Sequence, residues 1–397
     1  MPMITTSKPP LLEQFLSRFG ASYIDGGVGE IRSFFAPGRV NLIGEHIDYH
    51  GGHVFPAALT LGITALVRKN GSNLIRMVSL NAAKEVILNT QEEILYERGD
   101  WGNYPKGVLL FLRNLGYTLP GCDILFDSTL PEGAGLSSSA ALEVLTTYML
   151  LHLMGEKGWD KVRISEFAQK VENKFVQVNC GIMDQFAVAM GKENRAILLD
   201  CGHLQHTYVP LNLETYSLVI LNTNKQRELA ASKYNERLIE CEEALSSIQA
   251  HEKVSSLCEV THKQIQRYIK SEKLKKRTRH VVSENKRVMK AVKALKKGDL
   301  LRFATLLTHS HMSLKYDYEV TGFELDTIVD EALLFEDCIG ARMTGAGFGG
   351  CAIALVKTDS VEAFQQTVSV AYEKKTSLVP SFYESKIGDG VREIKAF

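Results

Sequence analysis

Short apolar runs alternate with turn residues between Ile31 and Ile94, and this spacing predicts strands over 32–35, 63–68, 74–80 and 85–88. Further on, apolar positions three and four apart predict helices over 104–115, 138–154, 164–178 and 361–374. Strand patterns fall at 122–126, 196–200, 218–222 and 352–356, while 231–334 reads as mostly helical. Ahead of all these, 11–19 places its leucines and phenylalanines on one side of a short amphipathic helix. Strands, then helices, then mixed elements imply an α+β protein in two lobes. The division falls near 205–215, giving an N-terminal lobe over 1–210 and a C-terminal lobe over 211–397.

Composition narrows the class. A chain of 397 residues with 45% hydrophobic and 23% charged residues buries a full core, which excludes a disordered or collagen-like chain. Lys+Arg and Asp+Glu each number 46, so no bulk attraction to nucleic acid or anionic membrane is expected. Residues 261–300 do hold 14 Lys/Arg against 3 acids, but without interleaved aromatics this reads as a solvated helical face. The seven cysteines form no C-x-x-C pair and read as small buried hydrophobes in a reducing compartment. Charges interrupt the first twenty residues, and no stretch approaches 18 uncharged apolar residues, so a cytoplasmic location is expected.

Three loops concentrate the chemistry. Pro131-Glu-Gly-Ala-Gly-Leu-Ser-Ser-Ser-Ala-Ala141 lies between a predicted strand and a predicted helix. Its glycines let backbone N–H groups approach an anion, and its serines open a helix whose positive end favours phosphate. It lacks the lysine of a P-loop and the third glycine of a dinucleotide fingerprint. Thr344-Gly-Ala-Gly-Phe-Gly-Gly350 carries four glycines in six positions, which implies close backbone approach to a ligand or to the first loop. Ala36 to Gly52 crowds Arg39, Asn41, Glu45, His46 and Asp48 among glycines, a set suited to gripping neighbouring sugar hydroxyls. The His46/His50 spacing would suit a metal on a continuous helix, but the glycines disfavour that helix.

Together these segments resemble the three signature motifs of the GHMP small-molecule kinases. Gly38-Arg-Val-Asn-Leu-Ile-Gly-Glu-His-Ile-Asp-Tyr49 resembles the galactokinase signature in particular, as do Cys180-Gly-Ile-Met-Asp-Gln185 and Trp101-Gly-Asn-Tyr104. The match runs in register from about residue 32 to about residue 391. Two departures, Ile47 where many members carry Thr and His50 where Asn is common, replace no implied sugar ligand. The resemblance implies two lobes, the second containing a ferredoxin-like half, with the site in the cleft between them. It implies ATP and Mg²⁺ as cofactors, small-molecule substrates only, and no obligate protein partner.

Residue by residue, the resemblance implies Asp184 as the base facing the anomeric hydroxyl, with Arg39 beside it. Glu45, His46, Asp48, Gly181 and Tyr234 would hold the sugar. Gly133, Ala134, Gly135, Leu136, Ser137, Ser138 and Ser139 would cradle the ATP phosphates, with Ser79, Trp101 and Tyr104 at the adenine. Ser139 and Glu172 would hold the metal. A guanidinium favours the charged form of a neighbouring carboxylate, so Asp184 is expected to orient the hydroxyl and to receive its proton late. The implied reaction is phosphorylation of D-galactose at its anomeric oxygen. Rival readings are the same transfer to N-acetylgalactosamine, arabinose or galacturonate, and a non-catalytic sensor that binds sugar and ATP. The sensor is disfavoured by the intact Ser137-Ser-Ser-Ala140, Arg39 and Asp184.

Overall fold

The computed structural model describes residues 10–20, 30–131, 133–226 and 230–395. The first lobe comprises α1 (Leu11–Phe19), β1 (Arg32–Asn41), β2 (His53–Val54), β3 (Pro56–Lys69), β4 (Leu74–Ser79), β5 (Val86–Asn89), α2 (Asn103–Asn114), β6 (Cys122–Ser128), α3 (Ser138–Met154), α4 (Lys161–Val171), α5 (Met183–Met190), β7 (Arg195–Asp200) and β8 (Gln205–Pro210). The second comprises β9 (Tyr216–Asn222), α6 (Ala230–Gln249), α7 (His262–Tyr268), α8 (Glu272–Lys296), α9 (Leu300–Ser313), α10 (Gly322–Leu334), β10 (Cys338–Met343), β11 (Cys351–Lys357), α11 (Val361–Thr376) and β12 (Ser381–Glu384). A final strand, β13 (Arg392–Ile394), returns to the first lobe and pairs with β1.

The first lobe's main sheet has six strands in the order β13-β1-β3-β6-β4-β5, and β2-β7-β8 form a smaller one. Helix α3 is buried on nearly every side, as its almost uniformly apolar sequence requires. It contacts β1 and β3 of the sheet on one side and α2, α4 and α5 on the other. Helix α1 forms as its spacing predicts and lays Phe15 on the sheet against Leu66, Val78 and Leu125. Full burial of that one ring contributes about 1.5–3 kcal/mol. The Arg68 guanidinium lies 5.3 Å from the centre of the Phe15 ring and donates to the Gly20 carbonyl (3.1 Å), tying down the helix end.

The second lobe's sheet is antiparallel, in the order β10-β11-β9-β12. Numbering those strands 1 to 4 by chain position gives 2-3-1-4, the ferredoxin-like order, with helices connecting the first to the second strand and the third to the fourth. The basic stretch falls mainly on α8 and divides in two. Arg277 is buried and paired with Glu240 (2.7 Å) and Glu319 (2.8 Å), whereas Lys286, Lys290, Lys293 and Lys296 are exposed.

Several elements depart from the sequence pattern. The helix predicted over 164–178 ends as α-helix at Val171 and widens into a π-turn over Glu172–Val176. Strands β2, β8, β10, β12 and β13 and helix α5 carry too little periodicity to be read locally. Among the described residues, no helix is long and apolar enough to cross a membrane. Three of the cysteines, Cys180, Cys201 and Cys258, are only partly buried.

Candidate active site

The cleft between the lobes holds a cavity of about 610 Å³. One end is walled by Glu45, His46, Asp48, Gly181 and Tyr234, the middle by Arg39, Asp184 and Glu172, and the other end by Ser79, Trp101 and Tyr104. Gly133, Gly135, Ser137, Ser138 and Ser139 line the floor. Ala134 and Leu136, also predicted to cradle phosphate, turn their side chains into the core, each 1% exposed. Their contribution to a ligand is therefore limited to backbone, and the Leu136 carbonyl already accepts the Arg39 N–H (3.1 Å).

Strand β1 reaches the serine loop because it carries Gly38. A β-carbon there would stand 2.5 Å from a Leu130 methyl and 2.8 Å from the Leu136 carbonyl oxygen, inside any tolerable contact. The strand bulges between Pro37 and Arg39, which turns the Arg39 side chain into the cleft. Arg39 donates Nε to Asp184 Oδ1 and Nη2 to Oδ2, both at 2.9 Å, and Nη1 to the Gly135 carbonyl at 2.7 Å. The guanidinium thus grips Asp184 at two points and ties it to the serine loop through Gly135. The Arg39 side chain is 4% exposed and that of Asp184 30%, so the carboxylate keeps one side toward the cavity.

Asp184 is delivered by the first turn of α5, and the turn before it is clasped from α4. Gln169 donates to the Cys180 carbonyl (3.1 Å), and the Cys180 N–H donates to Asn173 Oδ1 (2.9 Å). Gly181 then packs face to face on Asp48. A β-carbon at Gly181 would lie 1.9 Å from Asp48 Oδ2, so only glycine fits between the two motifs. Burial, reinforced by the negative charge of Asp184, pushes the Asp48 carboxyl up to about 7.

The sugar-motif residues differ in what they have left to offer. Glu45 accepts from Asn41 Nδ2 (2.9 Å), from the Gly345 N–H (2.7 Å) and from buried Arg342 (3.4 Å). Two carboxylate oxygens have about four acceptor positions, so capacity remains for a ligand hydroxyl. His46 sits in the left-handed region (φ 61°), with Nδ1 2.8 Å from the Tyr49 hydroxyl and Nε2 3.1 Å from the Ala346 carbonyl. Both ring nitrogens are occupied, so His46 presents its ring to the cavity. Burial lowers its pKa to about 3, which keeps the ring neutral. The third glycine loop thus touches the first, as its composition implied: a β-carbon on Gly345 would lie 3.1 Å from the Gly135 carbonyl oxygen.

At the serine loop the pattern reverses. Ser137 takes a left-handed backbone (φ 64°, ψ 42°), an uncommon and strained conformation for a residue with a side chain. Its hydroxyl does not cap the first-turn N–H groups of α3. Among the described residues, two buried oxygens without a protein hydrogen bond lie nearby, Ser137 Oγ and Gln185 Oε1, and the Glu143 carboxyl, raised well above its usual range by burial, lies against Glu172 and Gln185. Glu172, at the start of the π-turn, accepts from Gln185 Nε2 (2.6 Å). Burial raises the Glu172 carboxyl, offset in part by a hydrogen bond with Ser139. A hydroxyl and a carboxylate at the cavity, with further oxygens behind them, form a hard oxygen set of the kind Mg²⁺ prefers.

Sequence reasoning missed Glu143, Gln185, Asn173, Tyr49 and Tyr318. Glu143 lies one helical turn beyond Ser139, and Gln185 follows Asp184 directly, so spacing could have flagged both. At the outer end, Trp101 spends its indole N–H on the Lys84 carbonyl (2.8 Å), and its ring stands edge-on to Phe126. It therefore offers a surface for stacking and no donor. Burial raises the Tyr104 hydroxyl to about 12.

Comparison with known proteins agrees with this arrangement. The chain matches the galactokinase galactose-binding signature over residues 13–69, the GHMP kinases N terminal domain over 103–192 and the GHMP kinases C terminal domain over 291–374. It is 51% identical to a galactokinase of Clostridium tetani over 93% of this chain and 95% of that one. A galactokinase of Clostridium beijerinckii is 50% identical, over 91% and 94%. Among solved structures, Lactococcus lactis galactokinase complexed with galactose superposes with a TM-score of 0.90 at 42% identity, covering 96% of this chain and 98% of that one. Methanococcus jannaschii mevalonate kinase shares the fold, with a TM-score of 0.67 at 19% identity over 92% and 100%.

Proposed function

The chain belongs to the galactokinase family of the GHMP kinases, and from that membership we propose that it transfers the terminal phosphoryl group of ATP to the anomeric hydroxyl of D-galactose, giving galactose 1-phosphate and ADP. The observation that carries the reading is the Arg39–Asp184 fork, held at 2.9 Å through both carboxylate oxygens and lying between the sugar motif and the serine loop. Asp184 orients the anomeric hydroxyl and receives its proton late, as the new O–P bond forms. A loose phosphoryl-transfer transition state permits this, because the bond to the leaving oxygen of ADP is largely broken before the hydroxyl bonds strongly to phosphorus and must lose its proton.

Glu45, Asp48, Tyr234 and the Gly181 backbone hold the sugar's other hydroxyls, with His46 closing the wall behind them. The backbone N–H groups of Gly133 to Ser139 and the N-terminus of α3 bind the phosphates, and Arg39 faces the charge that spreads during transfer. Ser79, Trp101 and Tyr104 frame the adenine. Ser139 and Glu172 hold Mg²⁺, which when bound neutralises phosphate charge. The enzyme acts in the cytoplasm on small molecules without an obligate partner, and we place the lobe division at 210/211, with the final strand returned to the first lobe.

A panel of galactose, N-acetylgalactosamine, arabinose and galacturonate with ATP, reading ADP release, tests the reading. The expected result is that galactose has the highest kcat/KM. A panel in which another sugar is preferred, or no ADP is released, overturns it.

A further inference from the structure

We infer that Tyr318, a buried residue of the second lobe that does not line the cavity, is a positioning residue for the sugar site: by donating to the Tyr49 hydroxyl it holds Tyr49 in the orientation that donates to His46, and through His46 it fixes the walls formed by Ala346 and Tyr234. The inference deepens the proposed function and rests on reading this end of the cavity as the sugar's.

His46 Nε2 faces the Ala346 carbonyl at 3.1 Å, and a carbonyl only accepts, so Nε2 carries a proton. The ring is neutral, so Nδ1 accepts, and its donor is the Tyr49 hydroxyl at 2.8 Å. Tyr49 has then spent its one proton. Its oxygen lies 2.9 Å from the Tyr318 hydroxyl, so Tyr318 donates to Tyr49. Tyr318 in turn lies 3.3 Å from Cys241 Sγ, which leaves the thiol as the donor at the end of the chain. The last three contacts taken alone could run either way, but the carbonyl at one end orders them.

The packing shows what this chain holds in place. The His46 ring leans on Tyr318 (5.0 Å between centres) and on Tyr234 (5.5 Å), and Tyr49 stands edge-on to Tyr234 (5.3 Å). The other side of Tyr318 meets His280 (4.6 Å), whose Nε2 lies 3.1 Å from the Glu45 carbonyl. The Tyr318 backbone is fixed by Arg237, which donates Nε to its carbonyl (2.8 Å) and Nη2 to that of Glu319 (3.2 Å). Arg237 is three residues beyond Tyr234 on α6, so the same helix carries a cavity residue and the clamp on Tyr318. A merely packed tyrosine would use its ring in this way, but its hydroxyl would direct nothing.

The test is Tyr318→Phe in the full chain, labelled with ¹⁵N-histidine, with the His46 signals assigned by difference from His46→Gln. Wild-type His46 is expected as a single neutral tautomer protonated at Nε2. In Tyr318→Phe the His46 Nδ1 resonance moves toward that of an unbonded acceptor as the Tyr49 hydroxyl loses its fixed orientation, Nε2 stays protonated against the Ala346 carbonyl, and the galactose KM rises about 5- to 10-fold, the loss expected for one buried hydrogen bond. Both kcat and the ATP KM stay within about 2-fold on the same reasoning. An unchanged His46 spectrum and galactose KM in a folded variant overturns the inference. Should the variant not fold, the wild-type spectrum decides alone, because a ring protonated at Nδ1 contradicts the donor order. The spectrum reads the chain whether or not galactose is the substrate, so failure of the functional reading stays distinguishable.

Discussion

The two ends of the cleft are built on opposite plans. At the sugar end two groups that meet the cavity are already partnered by protein: Glu45 holds Asn41, Arg342 and the Gly345 N–H, and His46 holds Tyr49 and Ala346, while Arg342 Nε and Nη2, unpartnered among the described residues, lie behind Glu45. At the phosphate end, Ser137 Oγ and Gln185 Oε1 are buried without a hydrogen bond among the described residues, and Ser137 keeps a strained backbone. An unpartnered buried polar group costs about 1–3 kcal/mol. The sugar end is therefore shaped before substrate arrives, whereas the phosphate end is stabilised by what binds there. Uncharged hydroxyls gain little from any single contact and depend on geometry, while a polyanion gains enough to offset local strain.

Asp184 stands where the two plans meet, so its replacement should have the largest effect. Asp184→Asn is expected to lower kcat by about 10²–10⁴-fold, the usual loss for a positioned base and roughly 3–5.5 kcal/mol of barrier. Because the sugar end is assembled independently, galactose should still raise the melting temperature of the variant. Near-normal kcat in a folded Asp184→Asn enzyme would remove the assigned role, and loss of the galactose-induced shift would show that the two ends are not separable.

A smaller effect tests the sugar end by itself. The Asp48 carboxyl, pushed up to about 7, binds its proton more tightly in the folded chain than in the unfolded one. Its contribution to stability is therefore full below about pH 4, the ordinary range of a free aspartate, and is lost as pH rises through about 7. Replacing it with asparagine should remove that part of the pH dependence. Unfolding free energies of wild type and Asp48→Asn, measured between pH 4 and 8, are expected to diverge in slope. Parallel curves would show that burial does not hold the carboxyl as described.

How far the site could be read from sequence depended on how far apart its parts lie. The serine loop, the glycine-rich turn and the Arg39–Asp48 cluster each gather their chemistry within a few residues, and α1 announces itself by the spacing of Leu12, Phe15, Leu16 and Phe19. What stayed hidden comes from partners distant in the chain. Tyr318 meets Tyr49 across 269 positions, and Ser33, Phe34 and Phe35 on β1 pair with Ile394, Glu393 and Arg392 of β13. No local pattern records such pairings. The basic stretch shows the converse limit. Its composition reads as a solvated face, which Lys286 and Lys290 obey, while Arg277 in the same run is fully buried between acids supplied by α6 and by the turn at Glu319. His46 was legible as a site residue, but the occupation of both its nitrogens was not.

The central claim is that the sugar and phosphate ends converge on one reacting pair of atoms. A crystal structure with galactose, Mg²⁺ and a non-hydrolysable ATP analogue tests it most directly. The account predicts the anomeric oxygen about 3–3.5 Å from the terminal phosphorus, the separation of a near-attack geometry, and within hydrogen-bond reach of Asp184. A complex in which another hydroxyl faces the phosphorus, or in which the phosphates lie away from the Gly133–Ser139 loop, would contradict it.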